Sequence, residues 1–262
     1  MFNKADNYIR FEQLIKDTDN TYTFNEETSV QAITILVEII KDMGLNPMIT
    51  EELKHGLFLL FNIEIINLPD LSNNRYILSP NHVSDLDAII LGLLHPKIMI
   101  ISKSDWTNNT GLKSFLDLHY NLYGFDRSSL QSLRDLLMNS ISYFTDNVDN
   151  KHYLIFNQGT ISDINKNSVE RISQIAYKVS NKTGVQIINV FMEQVSLNKP
   201  TRIIFDEPAI VSKGQDFRSF WLERVIKLQS SLLPPARLPK LTYRHSNNNS
   251  IEDPHFNHGF YS

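Results

Sequence analysis

The chain has 262 residues, of which 42% are hydrophobic and 21% charged, so it is long enough to bury a full core. Its 25 basic and 29 acidic residues give a net charge of -4, which argues against a nucleic-acid surface. The absence of cysteine excludes disulfides, thiol catalysis and thiolate metal sites. We therefore expect a cytoplasmic protein without a cofactor.

The first part of the chain has the pattern of two helices. Apolar residues at helical spacing from Val30 to Ile40 predict one helix, and a second begins near Thr50 and carries the run Leu57–Phe61. No apolar run reaches the length of about 18 residues that favours a membrane span, and the N-terminus lacks the apolar core of a signal peptide. The helical pair either packs on the main domain or rests one face on the membrane. Peripheral contact with the inner face of the membrane therefore stays an alternative.

From about residue 72 onward, short runs rich in Ile and Val alternate with helical periods. The predicted strands are 75–78, 97–101, 152–156, 186–191 and 202–205. The predicted helices are 85–95, 112–120, 128–146, 167–183 and 216–233. This alternation predicts an α/β fold in which a mixed central sheet is covered by helices, with the helical pair at the N-terminus.

The same patterns divide the chain into three parts. We expect an N-terminal helical region at 1–70, a main domain at 71–233 and an irregular tail at 234–262. The tail contains His255 and His258, a spacing seen in metal sites, but it has no thiolate and only scattered acids. No metal site is predicted.

One stretch of the main domain, Ser79–Asp87, sets an imidazole and a carboxylate five residues apart where a strand ends and a helix begins. Ser84 and Asp87 have the form of a capping box, and in that interpretation Asp87 only caps the helix. On a continuous helix, residues five apart point about 140° away from each other, so His82 reaches Asp87 only if the loop folds back. A histidine held in one tautomer by a carboxylate can take a proton from an attacking hydroxyl or amine. His82 and Asp87 are therefore candidates for a catalytic pair, with a simple helix cap as the alternative.

Four further segments follow this stretch in order. They are Ile101–Lys103, Tyr123–Arg127, Phe156–Thr160 and Val185–Phe191. With the His-x4-Asp stretch, the series resembles the blocks of the glycerolipid acyltransferase family, the lysophosphatidic acid acyltransferases and their relatives. The resemblance covers about residues 72 to 210 and makes 71–233 an acyltransferase domain. It implies a role in phospholipid biosynthesis, in which an acceptor hydroxyl attacks an acyl thioester on acyl carrier protein or coenzyme A. These thioesters are co-substrates and partners, not cofactors.

The resemblance makes His82 and Asp87 the predicted catalytic pair and also assigns substrate-binding residues. Lys103 and Arg127 match the family's lysine and arginine that flank the phosphate of the acceptor, although both are also readable as surface residues at strand ends. The remaining residues that we expect to contact substrate are Asn81, Gln158, Gly159 and Thr160.

The third block departs from the family pattern. Where the family has Phe-Pro-Glu-Gly-Thr-Arg, this chain has Phe156-Asn157-Gln158-Gly159-Thr160-Ile161, so a glutamate and an arginine are lost. The fourth block has Asn189 in place of a proline. These changes leave the acceptor open. It is either lysophosphatidate, a related phosphorylated glycerolipid, or another lipid or small molecule with a hydroxyl or amine. Two alternatives to an acyltransferase stay open: a relative that binds acyl chains or lipid without turnover, and a thioesterase.

Overall fold

The structure is a computed structural model. It describes residues 62–84, 86–95, 97–104, 121–126, 128–145, 151–158, 172–193 and 200–232, and single residues at 54 and 58; at 103, 121 and 122 it describes the backbone only. Apart from Lys54 and Phe58, which are both helical, the predicted N-terminal helical pair lies outside the described residues, as do the helix at 112–120 and the tail at 234–262.

In the described part of the chain, seven strands form one sheet in the order β1-β7-β6-β2-β5-β3-β4. The strands are β1 (Ile63–Ile66), β2 (Tyr76–Pro80), β3 (Ile98–Lys103), β4 (Asn121–Phe125), β5 (His152–Leu154), β6 (Gln186–Met192) and β7 (Thr201–Phe205). All neighbouring pairs are parallel except β6 and β7, which are antiparallel. The predicted mixed sheet is confirmed.

Four helices accompany the sheet in the described residues. They are α1 (Asp87–Gly92), α2 (Leu130–Thr145), α3 (Ile175–Thr183) and α4 (Phe217–Ser231). α3 ends at Gly184, whose φ of 71° is left-handed and suits glycine. α4 begins after Asp216, whose carboxylate accepts from the backbone N–H groups of Arg218 and Ser219.

The core lies on both faces of the sheet. Helices α2, α3 and α4 contribute Leu136, Val179 and Trp221 to one buried cluster, which also includes Ile77 and Ile187 of the central strands. Side chains alternate between the two faces along a strand, so the neighbouring residues of β2 and β6 are buried on the opposite face. Helix α1 packs against β3 and β5. Buried strands with both faces covered suit the continuous apolar runs of the sequence.

The structure corrects several element predictions. Strands β1 and β4 are not predicted by the sequence patterns, and β1 lies inside the segment 1–70 that was expected to be helical. Residues 172–174 are not helical, so the helix predicted at 167–183 begins at Ile175 in the described chain. The helix predicted at 85–95 is regular only from Asp87 to Gly92. None of the described helices has the length and apolar character needed to cross a bilayer.

A fully buried histidine stands at the start of β5. The ring of His152 meets the carbonyl oxygen of Leu71 through Nε2 at 2.8 Å and lies edge-on to His95, with 4.9 Å between ring centroids. Burial, with smaller contributions from His95 and Lys97, lowers the pKa of His152 from 6.5 to about 4, although the Leu71 contact opposes the shift. The neutral ring is the form that fits this site.

This histidine predicts a loss of stability in mild acid. Between pH 6.5 and 4 the unfolded chain binds a proton at His152 that the folded protein rejects, so the free energy of unfolding falls as the pH is lowered. The pKa difference corresponds to about 3 kcal/mol in the free energy of unfolding. His152→Gln keeps an amide donor for Leu71 but does not titrate, so its urea-unfolding free energies should fall less over this range. Parallel curves for the variant and the wild type would contradict the assignment.

Candidate active site

The loop that follows β2 is fastened to the end of β6 by Asn81. The side-chain oxygen of Asn81 accepts from the backbone N–H of Met192 at 2.7 Å, and its Nδ2 donates to the carbonyl of Met192 at 2.9 Å. The side chain is buried, and the Asn81 backbone N–H donates to Val190. These bonds hold the first residue of the loop against the end of β6. Its expected contact with substrate stays a prediction.

The loop folds around the carboxylate of Asp87. Oδ2 accepts from the backbone N–H groups of Val83 and Ser84 at 2.6 and 2.9 Å, and Oδ1 accepts from the Ser84 hydroxyl at 2.8 Å. The Ser84 hydroxyl also accepts from the backbone N–H of Leu86 at 3.2 Å. The predicted capping box is therefore only half formed: the Ser84 N–H donates to Asp87, but the hydroxyl accepts from Leu86 and not from Asp87, and the residue at the N-cap of α1 is Leu86. Asp87 has an exposed fraction of 0%. Three protein donors therefore replace water around a buried carboxylate.

The same carboxylate holds the ring of His82. Nδ1 of His82 lies 3.1 Å from Oδ2 of Asp87, so the loop makes the backward fold that the sequence spacing requires. An ionised carboxylate only accepts hydrogen bonds, so Nδ1 is the protonated nitrogen and the lone pair of the neutral ring is at Nε2. The His82 side chain is 18% exposed, whereas that of Asp87 is 0% exposed. The pair therefore has a buried orienting end and an accessible ring.

Residues of the third block reach the loop from β5. The ring of Phe156 packs on the ring of His82, with 4.3 Å between centroids and 32° between planes. The side-chain oxygen of Gln158 accepts from the backbone N–H of His82 at 2.7 Å, and Nδ2 of Asn157 donates to the Ser79 hydroxyl. Gln158 is thus next to the predicted catalytic pair, and its expected contact with substrate stays a prediction.

Of the other predicted site residues, the structure describes only the backbone of Lys103. Strands β2, β3, β4, β5 and β6 run in one direction, so their carboxyl ends meet at one edge, where α/β sheets place ligands. Lys103 is the last residue of β3. Leu78 of β2 and Ile100 of β3 are both aligned with Leu154 of β5, which lies between them. Three residues further along each strand, the backbone of Lys103 is therefore level with that of Asn81, about 10 Å away across two strand spacings. The side chain of Lys103 and all of Arg127, Gly159 and Thr160 lie outside the described residues.

Sequence reasoning missed the contacts of Phe156 and the bond from Gln158 to the His82 backbone. The signal was the position of this block at the end of the strand predicted at 152–156. Only the strand order, with β5 beside β2, brings it to His82.

No protein-family model matches this chain, and no curated protein matches it. Among solved structures, the chain is similar to the crystal structure of the 1-acyl-sn-glycerophosphate (LPA) acyltransferase PlsC from Thermotoga maritima. The two are 16% identical, the match covers 89% of this chain and 99% of that chain, and the TM-score is 0.49.

Proposed function

We propose that this chain is an acyltransferase that moves a fatty acyl group from a coenzyme A or acyl carrier protein thioester to a hydroxyl or amine. The observation that carries the proposal is the contact between His82 and Asp87. The carboxylate is buried and held by three donors, so it fixes the ring in the tautomer that a general base requires. The order of the sequence blocks supports acyl transfer as the reaction.

In the proposed reaction, Nε2 of His82 takes the proton of the acceptor hydroxyl as its oxygen attacks the thioester carbonyl carbon. The carbon–sulfur bond then breaks, the new ester is released, and the proton passes from Nε2 to the departing thiolate. Between these steps the ring is a cation, and the Asp87 carboxylate at Nδ1 stabilises it. Reactants and products balance without an oxidant, a reductant or a metal.

We propose direct transfer without a covalent acyl-enzyme. The chain has no cysteine. The hydroxyl of Ser84, the serine of this loop, donates to Asp87 and not to His82. An activated nucleophile needs its base within hydrogen-bonding distance, so this arrangement favours an acceptor hydroxyl as the group that His82 deprotonates.

The acceptor is proposed to carry a phosphate near the carboxyl ends of β3 and β4. The backbone register supports this position for Lys103, and Asp126, the neighbour of Arg127, follows β4 directly. Two fixed cations suit a phosphate. Gly159 and Thr160 follow Gln158 and are proposed to complete the cleft on the side of β5. The protein would then meet a lipid acceptor at the membrane surface.

Replacing Arg127 by alanine should lower kcat/KM for a phosphorylated acceptor by about 10- to 100-fold, since each charge-assisted contact contributes roughly 1.5–3 kcal/mol. The KM for the thioester should change little. Arg134→Ala removes an exposed arginine of α2 and is the matched control. Steady-state kinetics with phosphorylated and phosphate-free acceptors measure the difference. Equal impairment with both acceptors would assign Arg127 a structural role.

Thiol release tests the proposed function against its two alternatives. The protein is incubated with acyl-coenzyme A or acylated carrier protein, with and without lysophosphatidate, other phosphorylated glycerolipids and simple alcohols or amines. The proposal predicts release that depends on an acceptor and shows no stoichiometric burst without one. Equal release with and without acceptors would show a thioesterase. Binding of the thioester without release would show a non-catalytic acyl-binding protein.

A further inference from the structure

The three residues after Ile155 all contact the segment that carries His82. These three residues, Phe156–Gln158, are called the β5 clamp below. Phe156 packs on the His82 ring, Asn157 donates to the Ser79 hydroxyl, and Gln158 accepts from the His82 backbone N–H. The contacts therefore reach both the end of β2 and the backbone of the predicted base.

The clamp begins where the backbone ladder between β2 and β5 ends. The last backbone bond between them runs from the N–H of Ile155 to the carbonyl of Leu78 at 3.0 Å. In a parallel ladder the next bond would run from residue 80 to the carbonyl of Ile155. Residue 80 is a proline and has no N–H to donate. Beyond this point, the hydrogen bonds between the two segments are made by the side-chain amides of Asn157 and Gln158.

The position of the clamp matters because the base is held by a short loop. Asn81 fixes the start of the loop to β6, and the Asp87 carboxylate accepts from the backbone of Val83 further along the loop. Between them, the backbone N–H of His82 donates to Gln158 at 2.7 Å, which ties the base itself to β5. Because Gln158 is a neutral amide, this bond places no second negative charge beside the His82 ring.

We propose that Gln158 is a positioning residue, whose side-chain oxygen holds the His82 backbone so that the ring stays on Asp87. This inference rests on the proposed function and deepens it. It differs from the role in substrate binding that the sequence suggests for Gln158. A positioning residue acts on every reaction of the base, whereas a substrate contact acts on one substrate.

The test compares two substitutions of different chemistry. Gln158→Leu keeps the approximate shape and removes the oxygen, and Gln158→Glu keeps an oxygen acceptor. Gln131→Leu is the matched control, because it makes the same change at an exposed amide of α2 that bonds Asp135. If Gln158→Leu does not fold, Gln158→Met removes the same oxygen with a more adaptable side chain.

The first measurement does not depend on activity. Nitrogen-15 NMR of the imidazoles, with the His82 signals assigned by their loss in His82→Ala, reports which ring nitrogen carries the proton. Wild type, Gln131→Leu and Gln158→Glu should show His82 protonated at Nδ1 when neutral, and Gln158→Leu should show a mixture of tautomers. An unchanged tautomer in folded Gln158→Leu or Gln158→Met overturns the inference.

The second measurement is kinetic. A displacement of about 1 Å at a catalytic group costs on the order of 100-fold in rate. Gln158→Leu should therefore lower kcat on that order with the KM of the acceptor unchanged, and Gln158→Glu should recover most of the loss. A raised acceptor KM with an unchanged kcat would overturn the inference and make Gln158 a substrate contact. If wild type releases no thiol from any thioester, the proposed function fails, and the tautomer measurement still decides this inference.

Discussion

Replacing His82 by alanine is expected to lower the acyl-transfer rate by about 10²- to 10⁴-fold, the usual loss when a general base is removed. The ring is accessible on one side and bonded to Asp87 through Nδ1, so its removal takes away the group proposed to deprotonate the acceptor. The fold should survive because Asp87 keeps its bonds to Val83 and Ser84. Transfer kinetics and a urea-unfolding curve measure the two effects.

His95→Ala is the matched control for this variant. His95 follows the opposite end of α1 from Asp87 and contacts His152 through its ring. Its loss should leave the transfer rate close to that of wild type. Transfer within tenfold of wild type by well-folded His82→Ala protein would contradict the role of His82 as the base.

Replacing Asp87 by alanine is expected to have the second large effect, on both rate and stability. Its carboxylate accepts from two backbone N–H groups, one hydroxyl and the His82 ring. Leaving buried donors without a partner costs about 1–3 kcal/mol each. We therefore expect the free energy of unfolding to fall by about 3 kcal/mol and the transfer rate to fall on the order of 100-fold or more.

Asp87→Asn separates the two contributions of this residue. An amide oxygen can accept the bonds made to Oδ2, and the Ser84 hydroxyl can rotate to accept from the amide nitrogen. The loop should therefore remain folded, while the negative charge that stabilises the imidazolium is lost. Full activity in Asp87→Asn would show that the charge of Asp87 is not needed by His82.

The contact between His82 and Asp87 was predictable because it is local. The two residues are five positions apart, and the capping pattern of Ser84 and Asp87 indicates where the chain turns into α1. Such signals depend on neighbours in the sequence. The Ile- and Val-rich runs predicted the central strands for the same reason, since buried parallel strands are apolar on both faces.

The contacts of the β5 clamp were not predictable because they depend on strand order. His82 and Gln158 are separated by 76 positions, and they meet only because β5 inserts between β2 and β3. A sequence pattern shows that a strand exists but does not name its neighbours. Likewise, β1 carries four residues with an exposed glutamate, a short pattern that does not stand out beside the apolar run before it.

The fate of the acyl group tests the account most directly. Wild-type protein and His82→Ala are given a thioester with an isotopically labelled acyl chain and a hydroxyl acceptor, and mass spectrometry follows the label. In wild type the label is expected in the acylated acceptor, in an amount equal to the thiol released, and His82→Ala is expected to lose nearly all of this transfer. Label found in the free fatty acid regardless of the acceptor, or equal transfer by the two proteins, would contradict a His82-based acyltransferase.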